Sequence, residues 1–165
     1  MLAGENALFT GSGTRVLIRG NNVRVSFFAH CFCMTIKDLL RLHLGDSVRI
    51  ANKPFIYVGH TQIDLDDGQT IRWLYDDEGT MLSVSREDEE IILFKEINEE
   101  LEPDGGTILY GDKEYEFSFE DTGAVAGVEG DGLGEEDDRF QYSDFQTADG
   151  EMLRLVSNET TGERM

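Results

Sequence analysis

Basic residues are scarce in this chain: 14 Lys and Arg stand against 34 Asp and Glu, for a formal net charge of −20. Nucleic-acid affinity comes mainly from Lys and Arg neutralising phosphates. A surface this acidic repels phosphate backbones and anionic lipid headgroups alike, so neither nucleic acid nor a membrane surface is an expected partner. Long apolar runs are also missing. The nearest, Val25–Met34, is interrupted by His30 and falls short of the ~18 residues of a membrane span. It lacks the basic-then-apolar pattern of a secretory leader. No direct membrane insertion is expected, and the reading is a protein of the cytoplasm.

Cysteine is limited to Cys31 and Cys33. Residues so close rarely pair with good geometry, and disulfide scaffolds need more of them. His30-Cys31-x-Cys33 offers three soft ligands, but zinc wants four, usually from two spaced pairs, and no second pair exists. Proline is nearly absent, with two residues against eighteen glycines. Many tight turns between short apolar runs favour strands over helices. A chain of 165 residues with 39% hydrophobic side chains can bury a core without metal or disulfide support.

Catalytic signatures are missing as well. The histidines are His30, His43 and His60, and no Gly-x-Ser-x-Gly elbow accompanies them. Thr10-Gly11-Ser12-Gly13-Thr14 has no following Lys and no following helix, so it is not a phosphate loop. The chain is expected to be no enzyme and to need no cofactor.

What is present reads as two stretches of different charge. Residues 1–33 hold three arginines and one acid, and residues 34–165 hold 11 basic and 33 acidic residues. The step marks a boundary. Residues 1–33 read either as an upstream extension, with Met34 as the natural start, or as a β-hairpin of Thr14–Arg19 and Val23–Phe28 turning at Gly20-Asn21-Asn22. Thr35 can cap a short helix near residues 35–43, with Ile36, Leu39, Leu40 and His43 on one face, and Gly45 stops it.

Strands and turns follow. Strand runs are expected at Pro54–His60, Thr70–Tyr75, Met81–Ser85, Ile91–Phe94, Thr107–Tyr110, Glu114–Phe119, Gly123–Val128, Arg139–Phe145 and Glu151–Val156. Asp64–Gly68 reads as a hairpin turn. The period of two puts Trp73 and Tyr75 on one face, as core in preference to a ligand surface. The second half echoes the first: Phe55-Ile56-Tyr57 with Tyr115-Glu116-Phe117, Trp73-x-Tyr75 with Phe140-x-Tyr142, and Gly79-Thr80-Met81-Leu82-x-Val84 with Gly150-Glu151-Met152-Leu153-x-Leu155. The expected fold is all-β, with two similar β-lobes in a barrel-like or sandwich arrangement. The lobes are residues 34–95 and 107–165, the second ending in a loose tail, and residues 96–106 form an acidic linker between them.

The run Leu44-Gly45-Asp46-x-Val48, Tyr57-x-Gly59, Trp73-x-Tyr75 and Met81-Leu82-x-Val84 resembles the bacterial domain-of-unknown-function family number 4178. The pattern Tyr110-Gly111-x-x-x-Tyr115, the neighbourhood of Gly123 and Ala124, Tyr142 and Gly150-x-x-Leu153 fits the same family. The resemblance covers most of residues 36–163. It implies a β-rich domain of two similar parts and a bacterial accessory role near membrane stress, and it carries over no catalytic residues.

The acidic runs are the remaining candidates for function. Glu129–Asp138 has the oxygens that calcium prefers, with Glu129, Asp131, Glu135, Glu136, Asp137 and Asp138 as its ligand candidates, but it lacks the order of an EF-hand loop. Glu135, Glu136, Asp137 and Asp138 are instead read as the contact for an unidentified, basic protein partner. The expected function is therefore a non-catalytic binding or assembly module. The alternatives are a calcium- or small-ligand-binding protein and an enzyme of unrecognised type.

Overall fold

The computed structural model describes residues 15–19, 35–51, 53–97, 99, 101–161 and 163–164. The protein is all-β with one short helix. Its elements are β1 (Arg15–Arg19), α1 (Ile36–Leu39), β2 (Ser47–Ile50), β3 (Lys53–Leu65), β4 (Thr70–Asp76), β5 (Thr80–Ser85), β6 (Glu90–Ile97), β7 (Thr107–Tyr110), β8 (Lys113–Gly130), β9 (Arg139–Gln146), β10 (Met152–Asn158) and β11 (Glu163–Arg164).

The helix is shorter than the apolar spacing predicts. Thr35 caps it in a full capping box with Asp38, but the turn ends at Leu40, and His43 lies beyond it with its side chain 89% exposed. The His43 amide is held by Asp46 Oδ2 at 2.8 Å, so the chain is already turning toward β2 where a longer helix would continue.

All strands join one antiparallel sheet in the order β2-β3-β4-β5-β6-β1-β10-β9-β8-β7, with β11 on β10 and an additional pairing of β3 with β8. That last pairing closes a hydrogen-bonded circuit of β3, β4, β5, β6, β1, β10, β9 and β8. The order is the same from either end: β2 to β5 occupy the places that β7 to β10 occupy in the other half. The two halves meet where Gly59 to Leu65 pair with Gly130 to Gly123, and where β1 pairs with both β6 and β10.

β8 joins into one strand the two short runs, Glu114–Phe119 and Gly123–Val128, that the sequence separates. It pairs with β7 at its start, with β3 at its end and with β9 for much of its length. A register shift between Phe117 and Phe119 lets it bend from one neighbour to the other. Gly123 is required where it reaches β3, because a Cβ there would stand 2.6 Å from the Asp64 carbonyl oxygen.

The core is in three parts. Ile63, Trp73, Met81, Phe94, Val125, Phe140 and Val156 draw on seven strands of the circuit, so they fill the face that it encloses. Outside, Val48, Ile50, Phe55, Leu74, Leu82 and Val84 pack under Ile36, Leu39 and Leu40 of the helical turn. Ile108, Tyr115, Phe145 and Leu153 form the matching outer cluster, with Ile97 and Leu101 against it. Residues 96–106, expected as a linker, thus include the end of β6 and an apolar anchor, Leu101. The expected run Val23–Phe28 and the turn before it lie outside the described residues, as do Thr10–Thr14 and Met34.

Candidate functional site

Two polar groupings stand out among the described residues. The first lies on β3 and β8 beside the helical turn. The Tyr57 hydroxyl is 2.6 Å from His60 Nδ1 and donates to Glu129 Oε2 at 3.0 Å. His60 is set opposite Glu129 by the β3–β8 register. A register shift between Tyr57 and Gly59 brings Tyr57 and His60, three residues apart, to the same side. Burial, and then the neighbouring Arg72 charge, hold the His60 imidazole below its ordinary value, against the pull of Glu129. Burial and the Glu129 bond push the Tyr57 phenol well up. Arg72 is anchored by Gln62 Oε1 at 2.7 Å and by the Leu40 carbonyl at 3.2 Å, which ties the helical turn to the sheet. The group links an imidazole, a phenol and a carboxylate in one hydrogen-bonded chain.

The second grouping lies on the enclosed face. Arg154 and Asp144 are direct partners across β9 and β10, and both are buried. The guanidinium donates through Nε and Nη2 to the two carboxylate oxygens at 2.7 and 2.8 Å, and through Nη1 to Ser83 Oγ at 3.1 Å. It also lies over the rings of Tyr142, at 4.2 Å, and Phe94, at 4.7 Å. The Asp144 charge and its hydrogen bonds outweigh burial and hold Arg154 above its ordinary value. The forked pairing is the arrangement that makes a buried ion pair tolerable, and it leaves the guanidinium enclosed and engaged, so its role is in the fold.

The acidic loop is laid out differently. Asp138 Oδ2 accepts from the Glu135 amide at 3.0 Å and from Asn158 Nδ2 at 2.8 Å, so this carboxylate shapes the loop. Glu135, Glu136 and Asp137 are exposed. The nearest base in sequence, Arg139, is engaged with Asp66 at 2.6 Å and with Glu159 at 3.9 Å.

A family model described as a domain of unknown function, DUF4178, matches residues 43–165. The chain belongs to that family. Comparison with curated proteins and with solved structures returned no match. The matched stretch of this DUF4178 member runs from just before β2 through β11 and contains both polar groupings and the acidic loop. β1 and α1 precede it.

The candidate residues from the sequence fall as follows. Glu129 belongs to the Tyr57–His60 grouping, while Asp131, Glu135, Glu136 and Asp137 lie exposed beyond β8. Among the described residues no three His, Cys, Asp or Glu side chains converge in a way that could hold a metal ion. Among the same residues no helix is long and apolar enough to cross a membrane. His30, Cys31 and Cys33 lie outside the described residues. Trp73 is fully buried, in the core. Asp64–Gly68 turns β3 into β4, and its Asp66 meets Arg139.

Proposed function

We propose that this protein is a non-catalytic binding module that takes a basic protein partner through its acidic surface. The observation that carries the reading is the loop of Glu135, Glu136 and Asp137: three exposed acids beside one arginine that is already engaged by Asp66 and Glu159. Like charges held this close repel one another, and a basic surface relieves the repulsion. The bacterial cytoplasm and an accessory role near membrane stress are the setting that the family resemblance implies.

The halves are, in the same reading, copies of one ancestral unit. The palindromic strand order supports this, and so does a shared turn device. Asp76 Oδ1 accepts from the Thr80 amide at 2.7 Å, and Thr147 Oγ1 accepts from the Glu151 amide at 3.0 Å, each at the hairpin that leads into the matching strand.

The test is affinity capture from the native host at low and high salt, with the wild type and with the triple variant Glu135→Gln, Glu136→Gln, Asp137→Asn. Asp138 is kept because the loop depends on it. The partner should be lost at high salt, since screening acts over about 10 Å at 0.1 M, and it should bind the variant more weakly. Capture that ignores both changes would leave these acids as mere solubilisers.

A further inference from the structure

The two halves treat the lysine at their hairpin ends differently. Lys53 opens β3 as the partner of Ile50, and Lys113 opens β8 as the partner of Tyr110. In the second half the chain supplies a counter-charge. Lys113 Nζ is bonded to Glu151, whose other oxygen accepts from the Tyr115 hydroxyl at 2.8 Å. Glu151 follows the turn glycine Gly150, just before β10. In the first half the residue that follows the turn glycine Gly79 is Thr80, which opens β5 and carries no charge. Phe55, opposite Val48, has the hairpin place that Tyr115 has opposite Ile108, and it has no hydroxyl. Lys53 is thus left without the carboxylate that Lys113 has, and among the described residues it has no ion pair.

A cavity of about 200 Å³ opens beside Thr80. That is somewhat more than the roughly 150 Å³ of an apolar cavity that accepts benzene. Ile50, Pro54, Phe55 and Leu93 form its apolar lining, and Lys53 and Lys95 line it as well. The two lysines come from opposite walls. Lys53 is the direct partner of Ile50 and stands two residues before Phe55, so it shares their face. Lys95 is the direct partner of Thr80 and stands two residues after Leu93, on the outer face of β5 and β6. The two faces meet where Ile50, Phe55 and Leu82 pack together with Leu93 against them. Lys95, like Lys53, has no ion pair among the described residues. Two carboxylates also line the cavity, but neither is paired with these lysines. Asp76 Oδ1 accepts from the Glu78 and Thr80 amides at 2.9 and 2.7 Å and so holds the turn, and Glu78 is exposed.

We infer that this cavity binds a small organic acid, with its carboxylate between the Lys53 and Lys95 ammonium groups and a body of about one ring's size against Ile50, Pro54, Phe55 and Leu93. The carboxylate takes the part that Glu151 plays for Lys113 in the second half. Charge-assisted hydrogen bonds from two ammonium groups hold the head, and burial of the body against the apolar lining adds to the affinity. An inorganic anion would leave the apolar lining uncovered. A neutral apolar molecule would leave the lysines unanswered. The site is separate from the acidic loop of Glu135, Glu136 and Asp137, and it does not depend on the basic-partner reading.

The test uses the full chain, isotope-labelled, and two probe acids, phenylpropanoate and isocaproate, titrated at millimolar concentration and followed by amide chemical shifts. Controls are phenylpropanamide, which has the body without the charge, and acetate, which has the charge without the body. The acids should give saturable shifts at Ile50, Phe55, Leu93 and Lys95, and the controls should bind at least tenfold more weakly. Affinity for the acids should fall at least tenfold in the double variant Lys53→Gln, Lys95→Gln, whose positions are exposed and leave the core intact. Thr80→Glu, which gives the first half a carboxylate of its own, should close the site to both acids. Phenylpropanamide binding as tightly as phenylpropanoate would reduce the site to an apolar cavity and overturn the inference. Acid binding that the lysine variant leaves unchanged, shifts centred elsewhere on the protein, or no saturable binding of either acid would overturn it as well.

Discussion

The indole of Trp73 lies stacked on the ring of Phe140, with centroids 6.0 Å apart and planes 11° apart. The two residues come from opposite halves, on β4 and β9, and both are fully buried. Tyr142 meets the indole edge-on at 6.0 Å. The enclosed core is therefore built around contact between the two halves, so neither half has a complete core without the other.

Trp73→Ala should accordingly destabilise the protein by roughly 3–5 kcal/mol, the usual cost of removing a large buried aromatic. The Trp73 Nε1 proton finds no hydrogen-bond partner among the described residues, so Trp73→Phe should cost less. Chemical denaturation followed by tryptophan-independent circular dichroism checks both, and native fluorescence should be blue-shifted. Emission like that of free tryptophan would place the indole in water and refute the stacked core.

The Arg154–Asp144 pair gives a second expectation. Removing one partner leaves a buried charge unanswered, so Arg154→Ala or Asp144→Ala should cost about 3–5 kcal/mol. The pair replaced together by Arg154→Met and Asp144→Leu should cost much less, because apolar residues of similar volume suit the site between Phe94 and Tyr142. A double-mutant cycle in urea measures the coupling. Additive effects would mean that the two charges do not depend on one another.

Much of this architecture is readable from alternation and turn chemistry. The runs around Trp73, Met81, Phe140 and Leu153 became strands, and Asp64–Gly68 became a turn, because a period of two and a glycine with positive φ are local signals. The closure of the sheet is not local: the pairing of β3 with β8 joins residues about 65 apart on average in a register that no short motif announces. The Tyr57–His60–Glu129 grouping was missed for the same reason, since Glu129 is 72 residues from Tyr57. Asp144 could have been found. It follows Phe140 and Tyr142 at the same spacing of two, which puts a carboxylate on an apolar face and demands a cation nearby.

Residues 1–33 read, by charge, as separable from the rest. Arg15–Arg19 nevertheless pairs with β6 over Val16 to Arg19 and with β10 over its whole length. A protein beginning at Met34 would expose two strand edges and open the circuit. Its melting temperature should fall well below that of the full chain, and its tendency to self-associate should rise. Calorimetry and analytical ultracentrifugation of the two forms decide the matter, and an unchanged melting temperature would show that β6 and β10 do not need the strand between them.

His60 supplies a pH dependence whose sign is set by its surroundings. The groups that face it are Tyr57 on its own strand, Glu129 on β8 and Arg72 on β4. Burial and Arg72 lower its pKa in the folded protein, while the unfolded chain titrates near the ordinary value of about 6.5. The unfolded state therefore takes up the proton first as pH falls. Stability from this residue is complete above about pH 6.5 and declines below it, toward the lower folded-state value. His60→Gln cannot take up that proton, so its stability should fall less between pH 8 and about pH 5.5 than that of the wild type. The exposed carboxylates held low by their partners, among them Asp38 and Asp66, titrate at more acidic pH and are common to both proteins, so they cancel in the comparison. Urea midpoints measured across that range give the answer. Parallel curves would show that His60 titrates alike in the folded and unfolded chains.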